Sequence, residues 1–381
     1  MFERIKGNIL FNKLLQRPNI NKAYAMVPKT DSWYDTIFTV HKSLEEIQKF
    51  THEILEIVSN DNLRLNGIYY PNNSNITIIC VHGYTSHAER EWAFPGLFYL
   101  SLGYNVLIPY QRAHGLSEGK YISFGALEHL DMINWVNKVN EINPNGKIII
   151  HGLSMGGGIV LDLSNKEIKN VKCLIADAPS VSIERFFKNI CNEVFKTNSD
   201  KIASYAIKRF KKKFGYDVKD FESVGIVSES LYPILLSAGS NEHLDELFEM
   251  IKKVNPKETD IIILPGCSHG NGMYKQTEMY QSKIKEFDVS SATVELAAEA
   301  LHCEPCRIAK SLSFNVNDEP VLVIAAGDAK IDNAKYKAFF HKKAKMLSPD
   351  EVVEKIGHAV GGVCPFGIND GIDVYLDVKR V

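Results

Sequence analysis

An α/β fold on a doubly wound, mostly parallel sheet is what this sequence predicts. Short apolar runs recur along the chain: "ITIICVHG" (76–83), "NVLIPY" (105–110), "KIIIHG" (147–152), "VKCLIADAP" (171–179), "YPILLSAG" (232–239) and "DIIILPG" (260–266). Each is strand length and most are apolar on both faces, the pattern of a parallel strand covered by helices above and below. Helical patterns such as "ALEHLDMINWVNKVN" lie between them, so strand and helix alternate.

Taken in order, the elements begin with "HEILEIVS" and "LRLNGIYYP", which alternate in polarity around the turn-rich "NDN" and read as a hairpin. The apolar runs follow. After "DAPS" the alternation pauses over residues 181–228, a stretch holding Phe186, Phe187, Phe195, Tyr205, Phe210 and Phe214. An insertion of this size reads as a helical cap whose aromatics line a pocket. Its basic run, "KRFKKKF", reads as a solvated helix face with two anchored aromatics in preference to a phosphate site. Beyond "SHGNGMYKQTEMYQSKIKEF" the order changes. "SATVELAAEAL" places Val294, Ala297, Ala298 and Leu301 on one helical face, and "RIAKSLSFNV" and "PVLVIAAGD" read as strands. "SPDEVVEKIG" opens with a capping box from Ser348 to Glu351, with Pro349 at the first helical position. A boundary near residue 287 divides an α/β domain, 1–287, from a small α+β domain, 288–381.

Composition narrows the class. The 381 residues are 45% hydrophobic and 24% charged, ordinary for a globular protein, and the net charge of −2 sets up no global field toward nucleic acid or anionic membrane. Seven scattered cysteines do not make a secreted disulfide framework. "MFERIKGNILFNKLL" is charged early and lacks a long apolar run, so neither a signal peptide nor a membrane span is expected. The expectation is a reduced, cytoplasmic protein.

The chemistry concentrates at "HGLSMGGGIV" (151–160). Strand, Gly-x-Ser-x-Gly, then helix is the context of a nucleophile elbow, a turn so tight that Gly152 and Gly156 must lack side chains. Ser154 then stands at a helix N-terminus, where developing negative charge is stabilised. A serine needs a base and an orienting acid, and the chain order should be serine, acid, histidine. His269, after the last strand in "LPGCSHGNG", is the candidate base. Glu242 and Asp245 in "GSNEHLDE" are both candidate acids, with Glu242 three residues after Gly239. An oxyanion hole needs two backbone N–H groups, expected from Met155 and Tyr84, with Gly83 allowing close approach of substrate. His82 and His151 read as packed, orienting histidines.

Together "HGYTS", "RAHGLSEGKYISFGALEHLD", "HGLSMGGG", "IADAP" and "GCSH" resemble the α/β-hydrolase superfamily over residues 50–287, nearest its bacterial serine hydrolases of the esterase and acyl-aminoacyl-peptidase-like branch. The family's usual "GxxD" acid reads "GSNE" here. The resemblance implies attack by Ser154 on an ester, thioester or amide carbonyl of a small acyl substrate, with His269 carrying the proton.

The second domain has a misplaced charge. Ile308, Leu312, Phe314 and Val316 alternate on one strand face, and Lys310 shares it, a costly position unless the lysine is paired, neutral or lining a pocket. "GHAVGGVCPFG" is a loop whose backbone can approach a ligand closely. With "SATVELAAEAL" and "RIAKSLSF", these resemble part of the YbaK/prolyl-tRNA-synthetase-associated editing domain. That resemblance implies hydrolysis of mischarged aminoacyl-tRNA, with Lys310 in the catalytic role and Gly361, Gly362 and Pro365 binding substrate. It also implies a tRNA partner whose phosphates "KYKAFFHKKAK" would contact. "HCEPC" (302–306) lacks a second ligand pair at metal spacing and reads as packed thiols. No cofactor or metal is expected. The leading reading is a serine hydrolase, the alternative an aminoacyl-tRNA deacylase acting through the second domain, and the third a binding module.

Overall fold

The protein is described by a computed structural model covering residues 2–18, 33–195, 199–254, 259–288, 304–307, 309–317, 319–358, 363, 368–369 and 371–376. It divides into two compact units, Met1–Ile284 and Lys285–Val381.

The first unit is built on an eight-stranded sheet. β1 (Glu53–Val58) and β2 (Arg64–Tyr70) form the antiparallel hairpin. β3 (Ile76–Val81), β4 (Asn105–Pro109), β5 (Lys147–Leu153), β6 (Val171–Asp177), β7 (Ile234–Gly239) and β8 (Thr259–Leu264) follow. The spatial order is β1-β2-β4-β3-β5-β6-β7-β8. β2 meets β4 antiparallel, and every pairing from β4 through β8 is parallel. β4 and β7 are buried along their whole length, which is why their sequences are apolar without alternation. The edge strand β1 is mostly exposed. Chain order reverses between β3 and β5, and at such a switch point the crevice beyond the carboxyl ends of the strands collects functional loops.

Between β6 and β7 lie the helical segments expected of a cap: Ile183–Val194, Ser199–Phe214 and Ser223–Val227. Ser182 caps the first, accepting from the backbone N–H of Arg185 at 3.1 Å. The helix Phe2–Leu15 packs against Ser199–Phe214, and Gly7 allows it, because a Cβ there would stand 2.8 Å from the Ile202 carbonyl oxygen. The aromatics of the insertion do not all line a pocket as expected. Phe187 and Phe210 are buried in the main core, and Phe186 faces the crevice. Adjacent helical residues point about 100° apart, so Phe186 and Phe187 serve different surfaces.

The second unit holds a mixed three-stranded sheet, β11 (Asp373–Leu376), β10 (Glu319–Ala326) and β9 (Ala309–Val316) in that order. β9 and β10 are antiparallel and β10 and β11 parallel. Among the described residues two small cores form, around Phe314, Val321 and Tyr336 and around Leu322, Leu347, Val352 and Ile356. The capping box of the helix Pro349–Ile356 is present in both directions, Glu351 N–H to Ser348 Oγ at 3.3 Å and Ser348 N–H to Glu351 Oε2 at 2.8 Å. "SATVELAAEAL", Ile308, Cys303, Gly361, Gly362 and Pro365 lie outside the described residues.

Candidate active site

Ser154 sits between β5 and the helix Met155–Asp162 with φ 58° and ψ −115°. A non-glycine residue held there carries strain of about 1–3 kcal/mol, which persists only where the surroundings fix it. Those surroundings are specific. A Cβ on Gly156 would lie 2.0 Å from the Val81 carbonyl oxygen, and one on Gly152 would lie 2.2 Å from that of Gly156. The turn is clamped from β6 as well, since Ser154 N–H donates to the Asp177 carbonyl and Ser180 N–H to the Ser154 carbonyl, both at 2.9 Å.

Three side chains from three loops converge. His269 Nε2 is 2.9 Å from Ser154 Oγ, and His269 Nδ1 is 2.6 Å from Glu242 Oε2. With Nδ1–H donating to the carboxylate, Nε2 is left as the acceptor facing the serine hydroxyl. Glu242 is fixed in turn, its Oε1 accepting the Gly239 N–H at 2.9 Å. The hydrogen bond from Glu242 raises the His269 pKa above its ordinary value, outweighing the opposing effect of burial. The structure therefore brings together Ser154, His269 and Glu242. Asp245 opens the following helix, Asp245–Val254, and its side chain lies outside the described residues.

The loop after β3 approaches from the other side. A Cβ on Gly83 would stand 3.3 Å from Ser154 Cβ, so this glycine leaves room beside the serine. Tyr84 joins Ser154, Phe124, Phe186 and Leu244 in lining a cleft of about 540 Å³. Met155 is the first residue of its helix, where a backbone N–H has no partner within the helix. His82 is buried and accepts the Gln111 N–H on Nε2 at 3.1 Å, which leaves its Nδ1–H to donate to the Gly83 carbonyl at 2.9 Å.

His151 is also buried, in a relay beneath the elbow. Tyr280 OH donates to Asp177 Oδ2 at 2.9 Å and lies 3.0 Å from His151 Nε2, while Tyr99 OH lies 2.7 Å from His151 Nδ1. Burial pushes His151 down to about 3 and Asp177 up to about 6. A neutral His151 donating from Nε2 to Tyr280 and accepting from Tyr99 satisfies every member. Both histidines thus pack and orient.

Glu91 escaped the reading of the sequence. It lines the same cleft, and its Oε1 accepts the Gly83 N–H at 2.7 Å. Burial pushes its carboxyl up to about 7. In the sequence it is one acid in the first turn of a helix, Ala88–Ser101, where acids are common. Trp33, whose Nε1–H donates to the His269 carbonyl at 3.1 Å, was equally silent.

In the second unit, Lys310 lies on the β9 face that carries Leu312 and Phe314 and is half-buried. Its ammonium donates to the Gly327 carbonyl at 2.8 Å and also to that of Ala329. The lysine is thus paired with the loop after β10. Cys306 is exposed.

The comparisons with known proteins follow the two units. Residues 72–222 match the serine aminopeptidase family, S33, and residues 289–379 the aminoacyl-tRNA editing domain family. This chain joins a hydrolase-family unit to an editing-family unit. The hydrolase-family unit is similar to the Pyrococcus furiosus esterase Pf2001, at 27% identity and a TM-score of 0.51, covering 65% of this chain and 92% of that one. The editing-family unit is similar to YwhH, an uncharacterised protein of Bacillus subtilis, at 56% identity over 100 residues, 26% of this chain and 64% of YwhH. It is also similar to the proline–tRNA ligase of Thermotoga maritima, at 27% identity over 134 residues, 32% of this chain and 22% of the ligase. The chain thus spans less than two thirds of the length of YwhH and of the ligase, and 84% of that of YqkD, another uncharacterised Bacillus subtilis protein, at 26% identity over 268 residues, 68% of this chain. Among the described residues no helix is long and apolar enough to cross a membrane.

Proposed function

We propose that the hydrolase-family unit is a serine hydrolase that cleaves a carboxylic ester, thioester or amide through an acyl-enzyme. The continuous hydrogen-bonded chain Glu242–His269–Ser154, ending on a serine held at positive φ, carries this reading. Ser154 Oγ attacks the acyl carbonyl as its proton passes to His269 Nε2. The oxyanion is received by the backbone N–H groups of Met155 and Tyr84, with Gly83 leaving space for the acyl group. Glu242 holds the imidazole in the accepting tautomer and stabilises the imidazolium. Collapse expels the leaving group with the proton from His269, and water repeats the sequence to free the acid. Ser154→Ala should lower hydrolysis of p-nitrophenyl esters by orders of magnitude and abolish labelling by a fluorophosphonate. Activity within about tenfold of wild type would overturn the assignment.

A second reading belongs to the editing-family unit, and the match over residues 289–379 together with the paired Lys310 favours it. Here Lys310 takes the catalytic role and Gly361, Gly362 and Pro365 bind the aminoacyl end of a mischarged tRNA. Slow deacylation by the full chain, lost in Lys310→Ala while ester turnover is unchanged, is the expected result. A tRNA partner and the buried cysteines Cys80, Cys191 and Cys267, none in a disulfide among the described residues, fit a cytoplasmic setting.

A further inference from the structure

The hydrolase-family unit carries a second cleft, on the face made by the helices Phe2–Leu15 and Ser199–Phe214. Arg4 from the first helix faces Lys208, Arg209, Lys212 and Lys213 from the second, and Tyr205 joins them in the wall. Positions 208, 209, 212 and 213 are neighbours on one helical face, so the basic run of the sequence becomes one wall of a groove rather than a scattered surface.

These five cations have no acidic partner among the described residues. Three of them make contacts with neutral groups. Arg209 donates to Asn12 Oδ1 at 3.0 Å and lies 5.0 Å from the centroid of Phe11. Lys208 lies 5.7 Å from the centroid of Tyr205, and Lys213 lies 4.8 Å from that of Tyr121. Lys211, between them in sequence, behaves as an ordinary surface lysine and pairs with Asp217 at 2.9 Å. No carboxylate lines the groove. In a chain of net charge −2, five like charges gathered without counter-charge repel one another, and an anion relieves that repulsion.

The shape of the groove selects the anion. A planar bilayer meets protruding cations, whereas the row here lines a concavity that a sugar–phosphate backbone can enter. The apolar residues that would accompany membrane docking, Phe2, Ile5 and Ile9, are exposed on a different stripe of their helix from Arg4 and Asn8. Tyr205, half-buried, adds an aromatic ring to the groove wall, with Lys208 over it.

We propose that this cleft holds the phosphate backbone of an RNA, and that the RNA is the tRNA whose aminoacyl end the editing-family unit would act on. The choice of tRNA rests on the second reading above, and the placement of the site rests on the groove itself. Each phosphate neutralised by a lysine or arginine releases condensed counterions, so binding should weaken steeply with salt.

The test uses the full chain and fluorescently labelled, uncharged bulk tRNA, followed by anisotropy across a salt series. Lys208→Glu combined with Lys212→Glu should weaken binding at least tenfold and reduce the slope of log K against log salt by about two. Ester turnover should stay unchanged, because neither residue lines the Ser154 cleft. Lys208→Gln combined with Lys212→Gln, checked by the same turnover, guards against misfolding and should show a smaller loss. Unchanged tRNA affinity in a folded variant would overturn the site. So would a loss confined to binding of phosphatidylserine vesicles with tRNA binding intact. Deacylation lost in Lys310→Ala but unaffected by the groove variants would leave the second reading standing and remove this one.

Discussion

At the scale of single residues, the proposed reactivity of Ser154 depends on one imidazole and the carboxylate behind it. Glu242 stabilises the protonated His269 and so raises its pKa. His269 acts as a base only when neutral, so kcat/KM for ester hydrolysis should rise with pH through a midpoint above that of an ordinary imidazole, about 6.5. Glu242→Gln removes the charge that favours the imidazolium, so the midpoint should move to lower pH while the plateau falls by a factor on the order of 10³–10⁴. Asp245→Asn should change neither. A pH–rate profile of the three proteins checks this, and a larger loss in the Asp245 variant would move the acid to that position. Of these residues, Ser154 and His269 were legible because their motifs are short and local. The sequence narrowed the acid to two candidates, and only the fold brought the Glu242 carboxylate against Nδ1.

At the scale of elements, backbone approaches decide where this unit tolerates change. Gly7 sits where the N-terminal helix crosses the helix Ser199–Phe214, and any Cβ there meets backbone at Ile202 and the Cβ of Tyr205. Gly7→Ala should therefore part the two helices and cost about 1–3 kcal/mol, a fall in Tm of several degrees for a unit of this size. Circular dichroism melts read this directly. Because the same helices form the basic cleft, the variant should also weaken tRNA binding, while the Ser154 site keeps its turnover at low temperature. The strands were legible as apolar runs, and each β-run of the first unit became a strand. The aromatics of the insertion were not assigned correctly, because composition alone does not say which helical stripe meets the core.

At the scale of the whole molecule, the two units differ in the core each can bury. Among the described residues, the first holds an extended cluster along the sheet and further buried side chains such as Trp92, Tyr99, Val106 and Ile175, and the second holds two clusters of a few side chains each. Smaller cores leave smaller margins over conformational entropy. Urea should therefore unfold the chain in two transitions, the editing-family unit first. Far-UV circular dichroism followed alongside ester turnover tests this: activity should survive the first transition and vanish with the second. Loss of activity in the first step would show that the units unfold together.

The sequence by itself determined the alternation of strand and helix, the tight turn around Ser154, the candidate base at His269 and the change of character near residue 287. These are legible because each depends on local chemistry: buried runs, glycines where a Cβ cannot fit, and a histidine after the last strand. Only the tertiary structure decided the rest. It set the Glu242 carboxylate against His269 and that of Glu91 behind Gly83, gave Lys310 its carbonyl partners, and set Arg4 against lysines some two hundred positions away. Such partners are joined by folding alone, because the distance between two side chains across a sheet or a helix crossing is not written in their spacing along the chain.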